Sequence, residues 1–368
     1  MKVSIMARSL RPPLTGIGRY TYNLASTAAR QLAPDPLTLF VTREVKDLDG
    51  LRCRTIVAPL PTPHEVFRAA WEQTIVPLSV RRNGLDVFHS PNYTLPITLP
   101  CPSVVTVHDL AFTDRRFHKA RLRLYLTLLT KFSLRRADHI IAVSEYTKSQ
   151  VETRFPFVTG RISVVYSGLD STFASAPPTG GNGSSRNGHR PYVLFVGSIE
   201  PRKNLPRLIR AFEQAMSATG LPHDLVLCGP WGWKYGAVEE ALRRSPLRDR
   251  IHHTGYVPST DLPSLYAGAD LLAYPSLDEG FGFPVLEAMA SGTPVVTSDR
   301  SALPEVAGGA AVTVPPSDEG AIADAISTVL SDRGLAIELA ERGRERAAEF
   351  TWNRAAAQTI EIYRQVAK

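Results

Sequence analysis

The segment between Asp278 and Pro294 holds the residues whose types and spacing point most specifically to a reaction. Two carboxylates, Glu279 and Glu287, stand eight positions apart, with a glycine-rich turn that contains Pro284 between them. Because proline suits the first turn of a helix and glycine lets main-chain N–H groups approach a ligand, the turn predicts an anion site at a helix N-terminus. We expect a phosphate there, with sugar hydroxyls on one carboxylate and ribose hydroxyls on the other. The alternative is an acidic first turn that only complements the helix dipole.

A second cluster of chemically informative residues follows a predicted strand that ends at Gly197 and Ser198. Arg202 and Lys203 lie at the turn between this strand and the next helix. Two cations in such a turn can stabilise a leaving nucleoside diphosphate, which gains negative charge as a glycosidic bond breaks. The alternative is a pair of solvated residues at a helix start.

The N-terminal half contains two further segments that directly follow predicted strands. Gly16 and Gly18 come after the first strand, and His108 and Asp109 stand at the end of a later one. By itself, a pair of glycines with this spacing is equally an ordinary tight turn. A histidine at a strand end is, taken alone, more often structural than catalytic.

Together, these motifs resemble the retaining GT-B glycosyltransferases of family 4. The spacing from Glu279 to Glu287 matches the E-x7-E motif of that family, and Phe195–Asn204 is similar to its G-x-x-x-x-R-K-N turn, which holds the donor pyrophosphate. Ser198 departs from the arginine that many relatives carry after this glycine. The resemblance covers essentially the whole chain, and the variant at 195–204 is most like bacterial polysaccharide and O-antigen mannosyltransferases.

The resemblance also implies a role for each candidate residue. Arg202, Lys203 and the helix start at Gly282–Val285 would stabilise the departing diphosphate, Glu279 would hold the hexose, and Glu287 the ribose. The implied catalytic residues are His108, Glu279, Lys203 and Arg202. The implied donor-binding residues are Gly16, Gly18, Gly197, Ser198, Arg202, Lys203, Tyr256, Val257, Glu279, Phe281, Gly282, Phe283, Pro284, Val285 and Glu287. On the acceptor side, the implied residues are Asp109, Asn92 and Tyr93.

We expect neither a metal ion nor another cofactor beyond the nucleotide sugar itself. Asp47 and Asp49 spell the D-x-D motif that binds Mn²⁺ or Mg²⁺ in the other large glycosyltransferase fold, but they lie in a polar loop before a short strand. His252 and His253 are adjacent on a predicted strand, so their side chains face opposite ways and cannot share one metal.

Alternating apolar runs and amphipathic stretches predict two series of βα units, each on a parallel sheet. With the resemblance, the predicted fold is α/β, GT-B, with two Rossmann-like doubly wound domains facing across a cleft. Residues 1–175 form the predicted acceptor domain, 176–190 a flexible linker rich in Gly, Ser and Asn, and 191–350 the donor domain. A C-terminal helix at 352–367 is expected to pack back on the first domain.

Composition excludes several other classes of protein. Hydrophobic residues make up 43% of the chain and charged residues 21%, which predicts a folded protein rather than a disordered one. Nucleic-acid binding is not expected despite the net charge of +7, because no RNP-type motif, zinc-finger spacing or basic heptad is present. Three scattered cysteines, no apolar run of spanning length and no signal-like N-terminus predict a cytoplasmic protein.

The stretch from Arg115 to Arg136 is basic and amphipathic. Such a stretch can rest on an anionic leaflet, which predicts peripheral contact with the inner face of a membrane and agrees with a lipid-linked acceptor. A core-facing helix with a basic outer face is an equally good explanation of the same pattern.

The predicted function is therefore retaining, metal-independent transfer of a hexose from a nucleotide sugar to a glycan or lipid-linked acceptor in cell-surface polysaccharide synthesis. The resemblance makes mannose from GDP-mannose the first expectation for the donor. One alternative is a nucleotide-sugar 2-epimerase of the same fold, which acts without an acceptor. The other is a catalytically inactive protein that binds a nucleotide sugar or an anionic surface.

Overall fold

Two parallel β-sheets with flanking helices organise the protein. The computed structural model describes residues 1–10, 14, 16–42, 53–58, 65–114, 120–175 and 190–368. These residues belong to two units, one formed by Met1–Gly168 and Phe350–Lys368 and the other by Leu169–Glu349.

The elements of the first unit alternate between strands and helices along most of its length. In chain order they are β1 (Val3–Met6), α1 (Gly16–Gln31), β2 (Leu37–Val41), β3 (Cys53–Val57), α2 (Glu65–Arg82), β4 (Val87–Ser90), β5 (Ser103–Val107), α3 (Ala120–Arg136), β6 (His139–Ala142), α4 (Glu145–Arg154) and β7 (Ile162–Val164).

The second unit repeats this alternation before the chain returns to the first. Its elements are α5 (Thr172–Ser175), β8 (Tyr192–Val196), α6 (Leu205–Thr219), β9 (Asp224–Cys228), α7 (Gly236–Arg244), β10 (Ile251–Gly255), α8 (Leu262–Gly268), β11 (Leu271–Tyr274), α9 (Phe283–Ala290), β12 (Val295–Ser298), α10 (Leu303–Ala307), β13 (Val312–Val314), α11 (Glu319–Ser331) and α12 (Arg333–Ala348). The last helix, α13 (Trp352–Val366), lies in the first unit.

Both sheets are doubly wound. The strand order is β3-β2-β1-β4-β5-β6-β7 in the first unit and β10-β9-β8-β11-β12-β13 in the second. In each sheet the order reverses between two neighbouring strands, β1 and β4 in one and β8 and β11 in the other. Ligands of such sheets bind outside the carboxyl ends of the strands at this reversal, so the predicted Rossmann-like architecture is confirmed and the places for binding sites are defined.

Strand β3 is the short strand predicted after the loop that holds Asp47 and Asp49. It pairs with β2 at one edge of the first sheet, and its side chains are mostly exposed or half-buried. An edge strand of this kind lacks the continuous apolar run that marks the buried strands of a parallel sheet.

The boundary between the units lies earlier than the sequence predicted. Residues 169–175 were assigned to the first domain, but they belong to the second unit. The reason is the packing of α5, where the Phe173 ring lies 5.8 Å from the Tyr266 ring and Ser291 Oγ donates to the Phe173 carbonyl. The predicted linker at 176–190 lies outside the described residues except for Arg190.

A buried hydrogen-bond network anchors α13 to the first sheet. Tyr363 Oη lies 2.5 Å from His89 Nδ1, and His89 Nε2 lies 2.8 Å from the Thr106 hydroxyl. Burial lowers the pKa of His89 to about 3, so its ring is neutral at ordinary pH. The chain also crosses itself closely at Gly168, because a Cβ there would lie 2.2 Å from the backbone nitrogen of Trp352.

The helices α2 and α3 cover one face of the first sheet. The hydrophobic core on this face includes Trp71 and Val80 from α2 and Leu134 from α3, packed with Phe88 and Val105 of the strands. Right-handed crossovers require this placement, since the connections through α2 and α3 run in the same direction along the sheet. No helix in the described parts of the chain is long and apolar enough to cross a bilayer.

Candidate active site

The reversal of strand order in the second sheet brings together the loops that follow β8 and β11. The main chain joins these loops where Leu277 N donates to the Arg202 carbonyl at 2.8 Å. Asn204 adopts a left-handed conformation with φ 62°, and its side-chain amide donates to the carbonyls of Pro275 and Pro316. The R-K-N turn is thereby held against the end of β11.

Four donors converge on the carboxylate of Glu279. Arg202 Nη1 donates to Oε2 at 2.7 Å, and Lys203 Nζ donates to Oε1 at 2.5 Å. The hydroxyls of Tyr274 and Ser276 also donate to Oε1, each at 2.8 Å. Because Glu279 is only 6% exposed, this carboxylate is held rigidly and largely out of water.

The cluster keeps Glu279 ionised. Burial alone would raise its pKa, but the charges of Arg202 and Lys203 and the hydrogen bonds of the cluster outweigh burial and lower the pKa to about 2. Burial also lowers the pKa of Lys203, against the opposing field of Glu279. Arg202 makes a second ion pair, with the buried Glu200 at 3.0 Å, where burial raises the pKa of that carboxyl.

Acid is expected to destabilise the protein partly through Glu279. The pKa of this carboxyl falls from an ordinary 4.5 to about 2 on folding. Its contribution to the free energy of unfolding is therefore complete above pH 4.5 and is lost as the pH falls towards 2. The shift corresponds to about 3 kcal/mol. We therefore expect the difference in unfolding free energy between the wild type and Glu279→Gln, measured by denaturant titration, to shrink by about this amount across that pH window.

A difference that stays constant with pH would contradict the ionised, clustered state of Glu279. Glu319→Gln is the matched control, because Glu319 pairs with Arg210 at the surface, where ion pairs contribute little.

The glycine-rich turn that the sequence predicts as an anion site leads directly into α9. Gly282 has φ 111° and caps the helix, but the amides of Val285 and Leu286 donate to its carbonyl, and Pro284 has no N–H. The dipole of the helix still favours an anion here. Arg202 and Lys203, which both donate to Glu279, add two charged donors close to this turn.

Glu287 lies one turn into α9, apart from the Glu279 cluster. Its carboxylate is buried and accepts a hydrogen bond from the Tyr266 hydroxyl at 2.9 Å. Burial is the main cause of the raised pKa of Cys228, at the end of β9, and the Glu287 charge adds to it. The second carboxylate of the motif therefore lies near enough to the end of β9 to act on Cys228.

Aromatic side chains lie at the ends of β9 and β10. Trp231 is 40% exposed, and its ring lies 4.5 Å from His253 and 5.0 Å from Tyr235. Backbone pairing of Trp231 with Ile199 places this cluster beside the loop after β8. Tyr256 is exposed and Val257 half-buried just beyond β10, so the predicted base-side residues lie at the same edge of the sheet.

Close backbone approach explains the glycines at this edge. Gly197 and Gly229 follow neighbouring strands, and a Cβ on Gly229 would lie 2.1 Å from the Gly197 carbonyl. Ser198, next in the chain, is half-buried.

The first unit holds the remaining predicted residues. His108 Nε2 lies 3.0 Å from the Pro91 carbonyl, and its ring packs edge-on against Tyr20 at 4.7 Å. Because a carbonyl only accepts, Nε2 carries the proton and Nδ1 is the acceptor of the neutral ring. Burial lowers the pKa of His108, which favours this neutral form, although Pro91 and Asp109 act in the opposite direction.

The predicted acceptor-side residues lie close to the ends of β4 and β5. Asp109 Oδ1 accepts from the Ala111 amide at 3.1 Å, and Asn92 Oδ1 accepts from the Tyr93 amide at 2.8 Å. The Tyr93 ring packs 5.0 Å from Phe112. Asp109 and Asn92 thus shape their own loops, which is a local structural role.

Gly16 and Gly18 lie in the first turn of α1 rather than in a loop. A Cβ on Gly18 would lie 2.8 Å from the Ser9 carbonyl, so this glycine lets the helix approach the chain after β1. The helix begins at Gly16, and the preceding Pro13 and Thr15 lie outside the described residues.

Several partners of the site were not found by sequence reasoning. Glu279 accepts hydrogen bonds from Tyr274 and Ser276, and Glu287 accepts one from Tyr266. In the first unit, Arg8 pairs with Glu72 at 2.9 Å where β1 ends. Arg8 stands two residues after the end of the first strand, and this position could have marked it as a candidate site residue. Nothing local marks Tyr266 or Ser276 as partners, because only the fold brings them to a carboxylate.

Metal ligands are not grouped in the described part of the chain, where no cluster of three or more His, Cys, Asp or Glu side chains suits a metal ion. His252 Nε2 lies 3.0 Å from Asp224, whereas His253 Nε2 lies 2.7 Å from the Gly229 carbonyl. Asp47 and Asp49 lie outside the described residues.

Comparison with a solved structure identifies the class of fold. The fold superposes on sucrose-phosphate synthase from Thermosynechococcus elongatus with a TM-score of 0.78 over 99% of this chain and 98% of that one, at 23% identity. Two Rossmann-like units of this kind are the GT-B glycosyltransferase fold.

The family follows from two models that together cover most of the chain. Residues 14–173 match Glycosyltransferase Family 4, and residues 182–349 match Glycosyl transferases group 1. The chain is also 31% identical to O-antigen chain mannosyltransferase B of Escherichia coli, over 99% of this chain and 100% of the relative. It is 28% identical to O-antigen chain mannosyltransferase RfbU of Salmonella typhimurium, over 79% of this chain and 84% of the relative. The chain belongs to this glycosyltransferase family.

Proposed function

We propose that this glycosyltransferase transfers mannose from GDP-mannose, with retention of anomeric configuration and without a metal ion, to a glycan or lipid-linked acceptor in polysaccharide synthesis. The observation that carries the proposal is the cluster of Arg202, Lys203 and Glu279 where the strand order of the second sheet reverses. The names of the two relatives above, both O-antigen mannosyltransferases, support mannose and a polysaccharide product.

The donor diphosphate would bind to Arg202 and Lys203. Both cations belong to the turn after β8, and α9 adds the favourable end of its dipole. A bound diphosphate would share these cations with Glu279 and gain most from them as its charge grows in the transition state. Two positioned cations can supply this stabilisation without a metal ion.

The two glutamates would hold the sugar hydroxyls of the donor. With its pKa lowered to about 2, Glu279 is a pure acceptor at neutral pH and suits the hydroxyls of a hexose. Glu287, towards the end of β9, suits the ribose. The nucleotide base would then lie towards Tyr256 and Val257.

In the first unit, His108 would contact a hydroxyl of the reacting sugar. Its Nε2–H donates to Pro91, so Nδ1 of the neutral ring is left to accept a hydrogen bond. Asp109, Asn92 and Tyr93 are proposed as acceptor-side residues because their loops follow the ends of β4 and β5, as the family resemblance implies.

The proposed reaction breaks the bond between the anomeric carbon and the diphosphate oxygen while the acceptor hydroxyl attacks the same face. The proton of that hydroxyl passes to the leaving phosphate oxygen, so no side chain is assigned as a base. We place the reaction in the cytoplasm, since Cys53, Cys101 and Cys228 are all free thiols, as in a reducing compartment.

Donor binding and slow hydrolysis test this proposal directly. Purified protein is mixed with GDP-mannose, GDP-glucose, UDP-glucose or UDP-N-acetylglucosamine in EDTA and without acceptor. Calorimetry measures binding, nucleotide release measures hydrolysis, and NMR records the anomer of the sugar released first. We expect GDP-mannose to bind most tightly and to release α-mannose.

Three results would contradict parts of the proposal separately. Loss of activity in EDTA with recovery in Mn²⁺ would overturn metal independence, and β-mannose would overturn retention. Isomerisation of UDP-N-acetylglucosamine without an acceptor would indicate an epimerase. The absence of binding to every donor would indicate an inactive protein.

A further inference from the structure

A short loop between β9 and α7 carries three exposed aromatic side chains. Trp231, Trp233 and Tyr235 are 40%, 41% and 37% exposed, and they stand within five consecutive positions. Single exposed apolar residues are normal on a protein surface, whereas three exposed aromatic rings in one loop form a patch of the kind that marks a binding site. We call residues 230–235 the aromatic loop.

The backbone of the aromatic loop is fixed to the loop that leads into the R-K-N turn. Ile199 N donates to the Pro230 carbonyl at 2.9 Å, and Gly232 N donates to the Ile199 carbonyl at 3.0 Å. A Cβ on Gly232 would lie 2.9 Å from the same carbonyl, so glycine allows this close approach. Lys234 is held at φ 54°, a left-handed conformation that is unfavourable for a residue with a Cβ. Backbone strain of this kind is typical of functional sites.

The rings of the aromatic loop are ordered by contacts with one another and with β10. The Trp231 ring lies 5.0 Å from the Tyr235 ring and 4.5 Å from the His253 ring. His253 is held in turn, because its Nε2 lies 2.7 Å from the Gly229 carbonyl, to which it donates. Rings that are already in place bind a ligand without the entropy cost of ordering them.

The ring cluster and Glu287 act on opposite faces of the second sheet. Adjacent residues of a strand point to opposite faces, so His253 points away from the face of His252. The His252 ring contacts Asp224, which shares a face of β9 with Cys228. Cys228 is the thiol whose pKa the Glu287 charge helps to raise. The proposed ribose site and the ring cluster are therefore separate, which leaves the aromatic loop for a ligand other than the nucleoside.

The chemistry of the aromatic loop fits a sugar ring. A hexose in its ring form has a face lined by C–H groups and a rim of hydroxyls. The C–H groups are attracted to the electron-rich face of an indole or phenol ring. The loop also contributes the hydroxyl of Tyr235 and the ammonium of Lys234, which are hydrogen-bonding groups of the kind that hold sugar hydroxyls.

Charge and size argue against other kinds of partner. Residues 230–244 contain three basic and two acidic side chains, and Arg243 and Arg244 both pair with Glu240. An anionic lipid surface or a nucleic acid would require a cluster of unbalanced cations. Three aromatic side chains also cover far less than the roughly 1,000 Å² that a stable protein interface needs.

We propose that the aromatic loop is a secondary glycan-binding site, which stacks a sugar unit of the polysaccharide chain on Trp231 and Trp233. This inference rests on the proposed function, from which it takes its ligand. The loop is joined by its backbone to the loop that leads to Arg202 and Lys203. A chain bound there is kept near the donor site, which raises its effective concentration for the next transfer.

Titration with an oligosaccharide tests the proposal on the full-length protein, without any donor. Tryptophan fluorescence and saturation-transfer NMR are recorded with α-linked mannotetraose. We expect mannotetraose to change the fluorescence and to receive saturation from aromatic protons. Trp231→Ala and Trp233→Ala should each weaken its binding about tenfold, the usual effect of removing an anchoring aromatic side chain. Trp231→Phe should retain most of the affinity, because it keeps an aromatic face.

A matched variant and a second ligand separate this site from the donor site. Tyr125→Ala removes an exposed aromatic residue from α3 of the first unit and should bind mannotetraose like the wild type. Binding of GDP-mannose, measured by calorimetry, should be unchanged in Trp231→Ala and Trp233→Ala. Near-ultraviolet circular dichroism checks the folding of both variants. Because mannotetraose is titrated without donor, a failure of GDP-mannose to bind would count against the proposed function alone.

Two results would overturn the proposal. One is the absence of mannotetraose binding to the wild type, or equal binding to the wild type and both alanine variants. The other is a loss of GDP-mannose affinity in correctly folded Trp231→Ala with unchanged mannotetraose binding, which would assign the Trp231 ring to the nucleotide base.

Discussion

Replacing Lys203 by methionine is expected to lower the rate of sugar transfer by about 10²–10³-fold, the usual effect of removing one positioned donor from a developing negative charge. Lys203 is buried, and its ammonium lies 2.5 Å from Glu279 and 2.6 Å from the Tyr274 hydroxyl. The loss should fall mainly on kcat, because the cation acts most strongly as the diphosphate departs. Steady-state kinetics with the donor identified by the binding panel measure it.

A purely structural role of the cluster would also reduce activity through misfolding, so a second variant is needed. In Lys203→Met, Glu279 loses a partner, and the free energy of unfolding should fall. The double variant Lys203→Met/Glu279→Gln removes both charges, while Arg202 keeps its ion pair with Glu200. We expect the double variant to recover stability and to remain inactive.

Near-normal transfer by this double variant would show that the cluster only holds the fold together. Lys148→Met is the matched control, because it removes a half-exposed lysine from α4 and should change neither stability nor rate appreciably.

Replacing Glu287 by glutamine is expected to weaken binding of the nucleotide sugar by about 10–100-fold. Hydrogen bonds to a charged group contribute about 1.5–3 kcal/mol, and the neutral amide would lose most of this on the ribose hydroxyls. Calorimetry with the nucleotide sugar and with its free nucleoside diphosphate measures the effect. Both ligands should lose affinity equally, because they share the ribose.

The contact between Glu287 and Tyr266 provides the control. Tyr266→Phe removes the hydrogen bond to the carboxylate but leaves its charge in place. This variant should be less stable and should bind the nucleotide almost normally. If Tyr266→Phe weakens binding as much as Glu287→Gln does, then Glu287 acts by holding α8 against α9, and its assignment to the ribose is wrong.

Local patterns were sufficient for most of the fold. Helix α13 was predicted at 352–367 and is observed at Trp352–Val366, and the two predicted series of βα units are observed as two parallel sheets with flanking helices. These elements are determined by apolar runs, helical spacing and breakers, all of which act over a few residues. The same reasoning predicted a short strand after Asp49 but not its partner, because β3 is held by pairing with β2 rather than by burial of its own side chains.

The residues of the site also divide into those that the sequence identified and those that only the structure revealed. Arg202, Lys203, Glu279 and Glu287 were identified by type and spacing, because the chemistry of phosphates and hydroxyls requires such groups after strands of a parallel sheet. Their partners Tyr274, Ser276 and Tyr266 were not identified, and the ionised state of Glu279 was not predictable. A pKa depends on burial and on charges that are distant in sequence, and only the tertiary structure brings these together.

The sequence alone determined the order of the elements, the family and the main charged residues of the site, because these follow from short-range patterns. The tertiary structure decided which strand ends meet, where the units divide and which side of α3 faces outward. The sequence of α3 allowed either side to be buried, since both carry apolar residues. Packing of α2, α3 and the loop after β4, which contains Leu95, on the first sheet resolved that choice. It left Leu124, Leu128 and Phe132 of α3 exposed.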